Sequence, residues 1–190
     1  MEVIKTDIEG VVILEPRIFG DDRGYFYESF SQSEFTEKVC RTTFVQDNQS
    51  GSCYGVLRGL HFQSPPHAQS KLVRVVKGKV LDVAVDIRKG SPTYGKHVAV
   101  ELSQDNHRQL FIPRGFAHGF VVLSGDAIFQ YKCDNFYNKE SEGTIIWNDP
   151  EIGVDWGIDE REAILSQKDL ENSSFSDLNS PFSYDENYYE

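Results

Sequence analysis

The sequence predicts an all-β protein, an antiparallel sandwich or barrel with a few short peripheral helices. Three observations carry that expectation. Strand-like runs recur at roughly ten-residue intervals. Glycine-containing turn signals separate many of them, among them Lys77-Gly78-Lys79, Lys89-Gly90-Ser91-Pro92 and Ser124-Gly125-Asp126. Aromatic residues, mostly Phe and Tyr, make up 13% of the chain, which suits pleated surfaces that are at least half buried.

In chain order, Val11–Glu15 is an apolar run that stops at Pro16, and Phe19–Gly24 is a turn cluster. Tyr25–Phe30 is aromatic and reads as a strand. Ser33–Val39 reads as a short helix with Ser33 as its N-cap. Thr43–Asn48 is extended. Strands follow at Gly55–Phe62, Leu72–Lys77, Lys79–Arg88, Lys96–Leu102, Arg108–Ile112, Gly119–Ser124, Ala127–Cys133 and Thr144–Asn148. The clearest period of two lies in Lys79–Arg88: Leu81, Val83, Val85 and Ile87 face one way, and Val80, Asp82, Ala84 and Asp86 the other. Barrels of this kind have an interior wide enough for one small ligand.

The 190 residues fit one domain, with a core over about residues 11–169 and an acidic tail over 170–190 that wraps the surface or is partly disordered. The 30 acidic residues outnumber the 19 basic ones, for a net charge of -11. That balance argues against nucleic acid and against an anionic membrane surface as partners. No apolar run approaches the ~20 residues of a spanning helix, and the N-terminus has no signal-peptide pattern. Cys40, Cys53 and Cys133 are odd in number and lack C-x-x-C spacing, so they read as free thiols in a reducing cytoplasm.

Against this acidic background two segments stand out, Gly55–Gln63 (GVLRGLHFQ) and Ser70–Val76 (SKLVRVV). They set His61 near Arg58, Lys71 and Arg74 on neighbouring strands. A base beside cations is what removal of a proton next to a carbonyl requires, with an anion held in place. His61 fits either a hydrogen-bonded barrel histidine or a general base. A catalytic His needs a partner that fixes its tautomer, and Asp169 is the candidate. Arg58 and His61 are three apart, so a regular strand points them to opposite faces; Gly59 between them marks a bulge that brings both to one pocket. Lys71 is either a solvated strand lysine or the partner of an oxyanion. Tyr131 is either core packing or a proton donor. Tyr137, in a loop, either stacks on a nucleobase or lies on the surface. Arg23, in the turn Asp21-Asp22-Arg23-Gly24, is either a phosphate ligand or a solvated charge.

The spacing P-x-G-x-x-H in Ile112–Phe120 (IPRGFAHGF) resembles the second cupin motif, whose His usually binds metal. The first cupin motif needs H-x-H, and His61-Phe62-Gln63 lacks the second His. No metal is therefore expected, and His118 reads as structural or substrate-contacting. No dinucleotide fingerprint is present, so no cofactor is expected.

Eight segments in order, DDRGYFYESF, FVQDNQS, GVLRGLHFQ, KLVRVVKGKVLDVAVDIRKGSPTYGK, RQLFIPRGFAHGFVVLS, YKCDNFYNKESEG, IIWNDPEIGVDW and ILSQKD, together resemble the dTDP-4-dehydrorhamnose 3,5-epimerase family from about Val11 to Asp169. The resemblance implies a metal-free cupin-type jelly roll that works as a homodimer on a dTDP-linked 4-keto-6-deoxyhexose. It implies His61 as the base, supported by Asp169, with Lys71 on the enolate oxygen and Tyr131 as the proton donor on the opposite ring face. Arg58, Gln46, Asn48, His118, Glu142 and Lys168 would line the substrate site, and Tyr137 would stack on the thymine. Arg23 and Glu28 would contact the nucleotide, usually from the partner subunit. Phe62 and Phe136 stand where the family often has Tyr. The rival readings are an epimerase of a single carbon, a 4-keto sugar isomerase on the same barrel, and a non-catalytic sugar-binding barrel.

Overall fold

Apolar positions that alternate along paired strands need a second layer to cover them, and this chain supplies one from its own sheets. A computed structural model describes residues 1–189. One sheet holds β1 (Glu2–Lys5), β2 (Val12–Glu15), β5 (Gln46–Cys53), β7 (Lys71–Lys77), β11 (Gln109–Ile112) and β13 (Asp126–Cys133), in the order β1-β2-β11-β7-β13-β5. The other holds β6 (Leu57–Gln63), β8 (Lys79–Asp86), β10 (His97–Ser103), β12 (Phe116–Val122) and β14 (Glu142–Thr144), in the order β10-β8-β12-β6-β14. Their strand pairs are antiparallel, and the whole is a jelly-roll sandwich. Smaller elements surround it: the hairpin β3 (Phe19–Asp21) and β4 (Gly24–Phe26), α1 (Gln32–Lys38), the two-residue β9 (Arg88–Lys89), α2 (Gln167–Leu170) and β15 (Phe182–Ser183).

The inward faces of both sheets meet in one core. Val73 and Val75 of β7, Phe129 of β13, Val80 and Ala84 of β8, and Phe120 and Val122 of β12 all belong to it. Phe120 and Phe129 stack at 4.0 Å between centroids. A second core lies on the outer face of the β8-containing sheet. There Val83, Val85, Ile87 and Val121 are covered by Ile145, Trp147, Trp156, Phe175 and Phe182 from the C-terminal third. Strand β8 is thus buried on both faces, which is why apolar residues fall on both sides of its period of two. A third cluster, Leu14, Leu72 and Phe111, is sealed by Phe35 of α1.

Several sequence expectations shift. The helix starts at Gln32, with Ser31 and not Ser33 at its N-cap; the amide of Phe35 bonds to the Ser31 carbonyl, which brings that ring onto Phe111. The Phe19–Gly24 turn is the tip of a hairpin, and the strand expected over Tyr25–Phe30 stops at Phe26. Phe30 instead joins Phe35 and Phe44 in an aromatic cluster. The strand expected over Thr144–Asn148 is confined to Glu142–Thr144, because Ile145 and Trp147 turn into the second core. β5 runs on to Cys53, since it pairs along the full length of β13. The tail beyond residue 170 is not a surface appendage. Phe175 and Phe182 are buried, and β15 pairs in parallel with β9.

Candidate active site

At one end of the core, the inward rows of side chains turn from apolar to polar. On β7 the row runs Val75, Val73, Lys71; on β13 it runs Ala127, Phe129, Tyr131, Cys133. On β12 Phe120 is followed inward by His118, and on β8 Asp82 sits between Val80 and Ala84. Two adjoining cavities, of about 440 and 220 Å³, occupy this end and share Asn48, His61, Lys71 and Tyr131. Their combined size is that of a small-molecule site.

Arg58 and His61 reach it together because β6 bulges. His118 pairs with His61 and Phe120 with Arg58, so Gly119 alone faces both Gly59 and Leu60. Leu57, Leu60 and Phe62 all go to the second core, leaving Arg58 and His61 on the cavity side. Gly59 has φ +135°, and a Cβ there would lie 2.5 Å from Gly119 Cα and 2.9 Å from the His118 carbonyl. Only glycine fits.

His61 Nε2 lies 2.6 Å from Asp169 Oδ1. The other carboxylate oxygen accepts from Ser166 Oγ at 2.6 Å, and Ser166 is the N-cap of α2. Burial alone would raise the Asp169 carboxyl; the bonds from His61 and Ser166 outweigh it and hold the group below its ordinary value. A proton on Nε2 is fixed by the carboxylate, which leaves Nδ1 as the basic nitrogen.

A second pair sits deeper. His118 Nε2 is 3.0 and 3.1 Å from the two oxygens of Asp82, which is fully buried, and His118 Nδ1 is 3.5 Å from Lys71 Nζ. Burial pushes Lys71 below its usual value against the pull of Cys133, Asp82 and Glu142. Burial likewise lowers His118, with Lys71 and His61 adding to the shift and Asp82 opposing it. The neutral imidazole then donates from Nε2 to Asp82 and accepts from the Lys71 ammonium at Nδ1. Burial raises the Tyr131 phenol, with Arg58 opposing, so the group stays protonated. Burial also pushes the Cys133 thiol up to about 11, which removes it as a nucleophile at neutral pH.

Gln46, Tyr137 and Glu142 line the smaller cavity, and Arg58, His118 and Lys168 the larger. At the mouth Glu142 accepts from Tyr137 Oη at 3.2 Å and pairs with Lys168. Burial would raise the Glu142 carboxyl, but the Lys168 contact brings it below normal. Tyr137 is 58% exposed, an open ring face at the rim. Arg23 and Glu28 do not line the cavities: Arg23 pairs with Asp21 at the tip of the β3–β4 hairpin. Arg74 was expected beside His61, but it lies on the outer face of β7 and donates to Gln130 and Tyr27, since it is an odd number of residues from Lys71. Among the described residues no cluster of three His, Cys, Asp or Glu is arranged to hold a metal ion, and no helix is long and apolar enough to cross a membrane.

Sequence reading missed Asp82, Ser166, Gln63 and Gln69. The signal for Asp82 was present: an acid between Val80 and Ala84 on an inward row of the most regular strand must find a buried partner.

The chain is similar to known epimerases over most of its length. The family model for dTDP-4-dehydrorhamnose 3,5-epimerase matches residues 5–177. The dTDP-4-dehydrorhamnose 3,5-epimerase of Shigella flexneri is 57% identical over 178 residues, which is 93% of this chain and 97% of that protein. The crystal structure of the enzyme of the same name from Elizabethkingia anophelis NUHP1 superposes with a TM-score of 0.91 at 53% identity, over 94% of this chain and 98% of that one. The dTDP-6-deoxy-D-glucose-3,5-epimerase of Legionella pneumophila Philadelphia 1, solved in complex with dTDP-4-keto-L-rhamnose, superposes with a TM-score of 0.93 at 48% identity, over 97% and 99%.

Proposed function

Because the chain belongs to the dTDP-4-dehydrorhamnose 3,5-epimerase family, we propose that it inverts carbons 3 and 5 of dTDP-4-keto-6-deoxyglucose to give dTDP-4-keto-L-rhamnose, a step of dTDP-rhamnose biosynthesis. The observation that carries the reading is the convergence of His61, Lys71 and Tyr131 on one cavity, with Asp169 behind His61.

Carbons 3 and 5 flank the carbon-4 ketone, so one carbonyl acidifies both protons. His61 Nδ1 takes the proton, the C–H electron pair moves into an enolate, and the imidazolium that forms is stabilised by the Asp169 carboxylate. The carbon-4 oxygen becomes negative as the enolate forms, and the Lys71 ammonium neutralises it. Tyr131 then gives its phenolic proton to the other face of the same carbon. Each inversion leaves His61 protonated and Tyr131 deprotonated, so both exchange with solvent before the next. The His61 side chain is 27% exposed, which supports that exchange.

Arg58, Gln46, Asn48, His118, Glu142 and Lys168 hold the sugar and diphosphate, and Tyr137 stacks on the thymine. Arg23 and Glu28 reach the nucleotide of a second subunit in a homodimer. Neither lines this chain's own cavities, and the exposure of Phe19, Tyr25 and Phe26 on the hairpin that carries Arg23 supports that arrangement. The free thiols Cys40, Cys53 and Cys133 suit a reducing cytoplasm.

Incubation with dTDP-4-keto-6-deoxyglucose in heavy water tests the reading. Deuterium at carbons 3 and 5 of an inverted product is expected. Label at one carbon alone indicates an epimerase of that carbon, and no label at either overturns catalysis.

A further inference from the structure

Arg114 belongs to the same segment as His118, yet it has no place in the reaction. It lines a separate cavity of about 390 Å³ with Arg88 and, from the tail, Tyr184 and residues 186–189. Its Nε donates to Asp134 Oδ2 at 3.2 Å, its terminal nitrogen to the Tyr188 carbonyl, and its guanidinium lies 5.2 Å from the centre of the Tyr189 ring.

The contacts converge on the root of the Lys71 strand. The Tyr189 hydroxyl accepts from the Arg114 amide at 3.1 Å and lies 2.7 Å from Ser70 Oγ, a hydrogen bond in which either hydroxyl can donate. Ser70 is fully buried, and its amide donates to Asp134 Oδ1 at 2.6 Å. Lys71 follows Ser70 as the first residue of β7, and of its two cross-strand partners, Ile112 and Cys133, the second is the residue before Asp134. The tail that delivers Tyr189 is itself anchored. β15 pairs with β9, and the buried Phe182 ring packs edge-on against Phe62 and Tyr188. The region matched to the family ends at residue 177, before β15 begins.

We propose that Tyr189 is a positioning residue for Lys71. Ser70 is the residue through which the chain enters β7, so the bonds that fix Ser70 set how the backbone delivers Lys71 to the sheet. Here the phenol bridges Ser70 to Arg114, while Asp134 ties Ser70 to the end of the strand that carries Tyr131. The tail thereby holds the ammonium where the enolate oxygen forms. The inference rests on the reading of Lys71 as the partner of that oxygen.

The test uses the full chain with Tyr189→Phe, Ser70→Ala and the double variant, and measures kcat, KM and the affinity for dTDP. Lys71 acts on charge that develops only in the transition state. Each single variant should therefore lower kcat about tenfold, the size of one lost buried hydrogen bond, while KM and dTDP affinity stay within about twofold. The double variant should lose no more than the worse single one, because both cut the same link. Unchanged kcat with only a lowered melting temperature, or losses that multiply in the double variant, overturns the positioning role. Lys71→Ala is the control: if it retains near-wild-type turnover, the role of Lys71 itself fails, a result distinct from failure at Tyr189.

Discussion

Asp169→Asn removes a charge and little else. The carboxylate side chain is 5% exposed, accepts from His61 at 2.6 Å and is held from behind by Ser166. An Asn amide fits the same space: its oxygen still accepts from His61 Nε2–H, and its NH₂ faces the Ser166 hydroxyl. What is lost is the charge opposite the imidazolium that forms when His61 takes the proton. A hydrogen bond to a charged group is worth about 1.5–3 kcal/mol, and burial leaves little solvent to screen it. At about 1.4 kcal/mol per tenfold, kcat should fall roughly 10- to 150-fold. The assay is the initial rate of solvent-deuterium incorporation at carbons 3 and 5 by NMR, with a melting curve to show that the fold persists. An Asp169→Asn variant that folds and exchanges at more than half the wild-type rate refutes the view that this carboxylate supports the base.

Tyr131→Phe should lower formation of inverted product by about 10²–10⁴-fold, while deuterium exchange with retention of configuration falls less, since His61 can return the proton to the face it came from. Equal loss of both signals would remove Tyr131 from the acid role. Burial lowers Lys71 while Tyr131 is raised, so kcat should decline on the alkaline side at a pH below the ordinary lysine value of 10.5, as the ammonium loses its proton. A kcat profile that stays flat to that pH contradicts the oxyanion role. For the fold, Asp86 is fully buried and accepts from Arg88, Ser91 and Thr93. Asp86→Ala leaves the Arg88 guanidinium, only 13% exposed, without its partner, and should cost about 3–5 kcal/mol in a urea melt. Burial raises the Asp86 carboxyl but its donors lower it further, so this stability is present above 3.8 and is lost as pH falls through the lowered value. The gap between wild type and variant should therefore close only in strong acid.

Much of the fold was legible because β-structure writes a local signature. Most strands appear where alternation and glycine turns put them. The boundaries that moved were set by packing. Phe30, Ile145 and Trp147 carry good strand propensity, but each has a cluster elsewhere that buries it better. The bulge at Gly59 was readable from two candidate site residues spaced by three with a glycine between, since a regular strand cannot turn both to one cavity. Arg74 was misplaced by nearness in sequence, although its parity relative to Lys71 already put it on the other face.

The sequence by itself determined the sheet-rich class, the acidic balance and the cationic island around His61. These follow from composition and period, which are local properties. Only the tertiary structure decided that Asp169, 108 residues from His61, meets its ring, that Asp82 leads through His118 to Lys71, and that the acidic tail turns inward to Ser70. Those contacts depend on which strands become neighbours across the sandwich, and burial, rather than residue type, then set the protonation of each group.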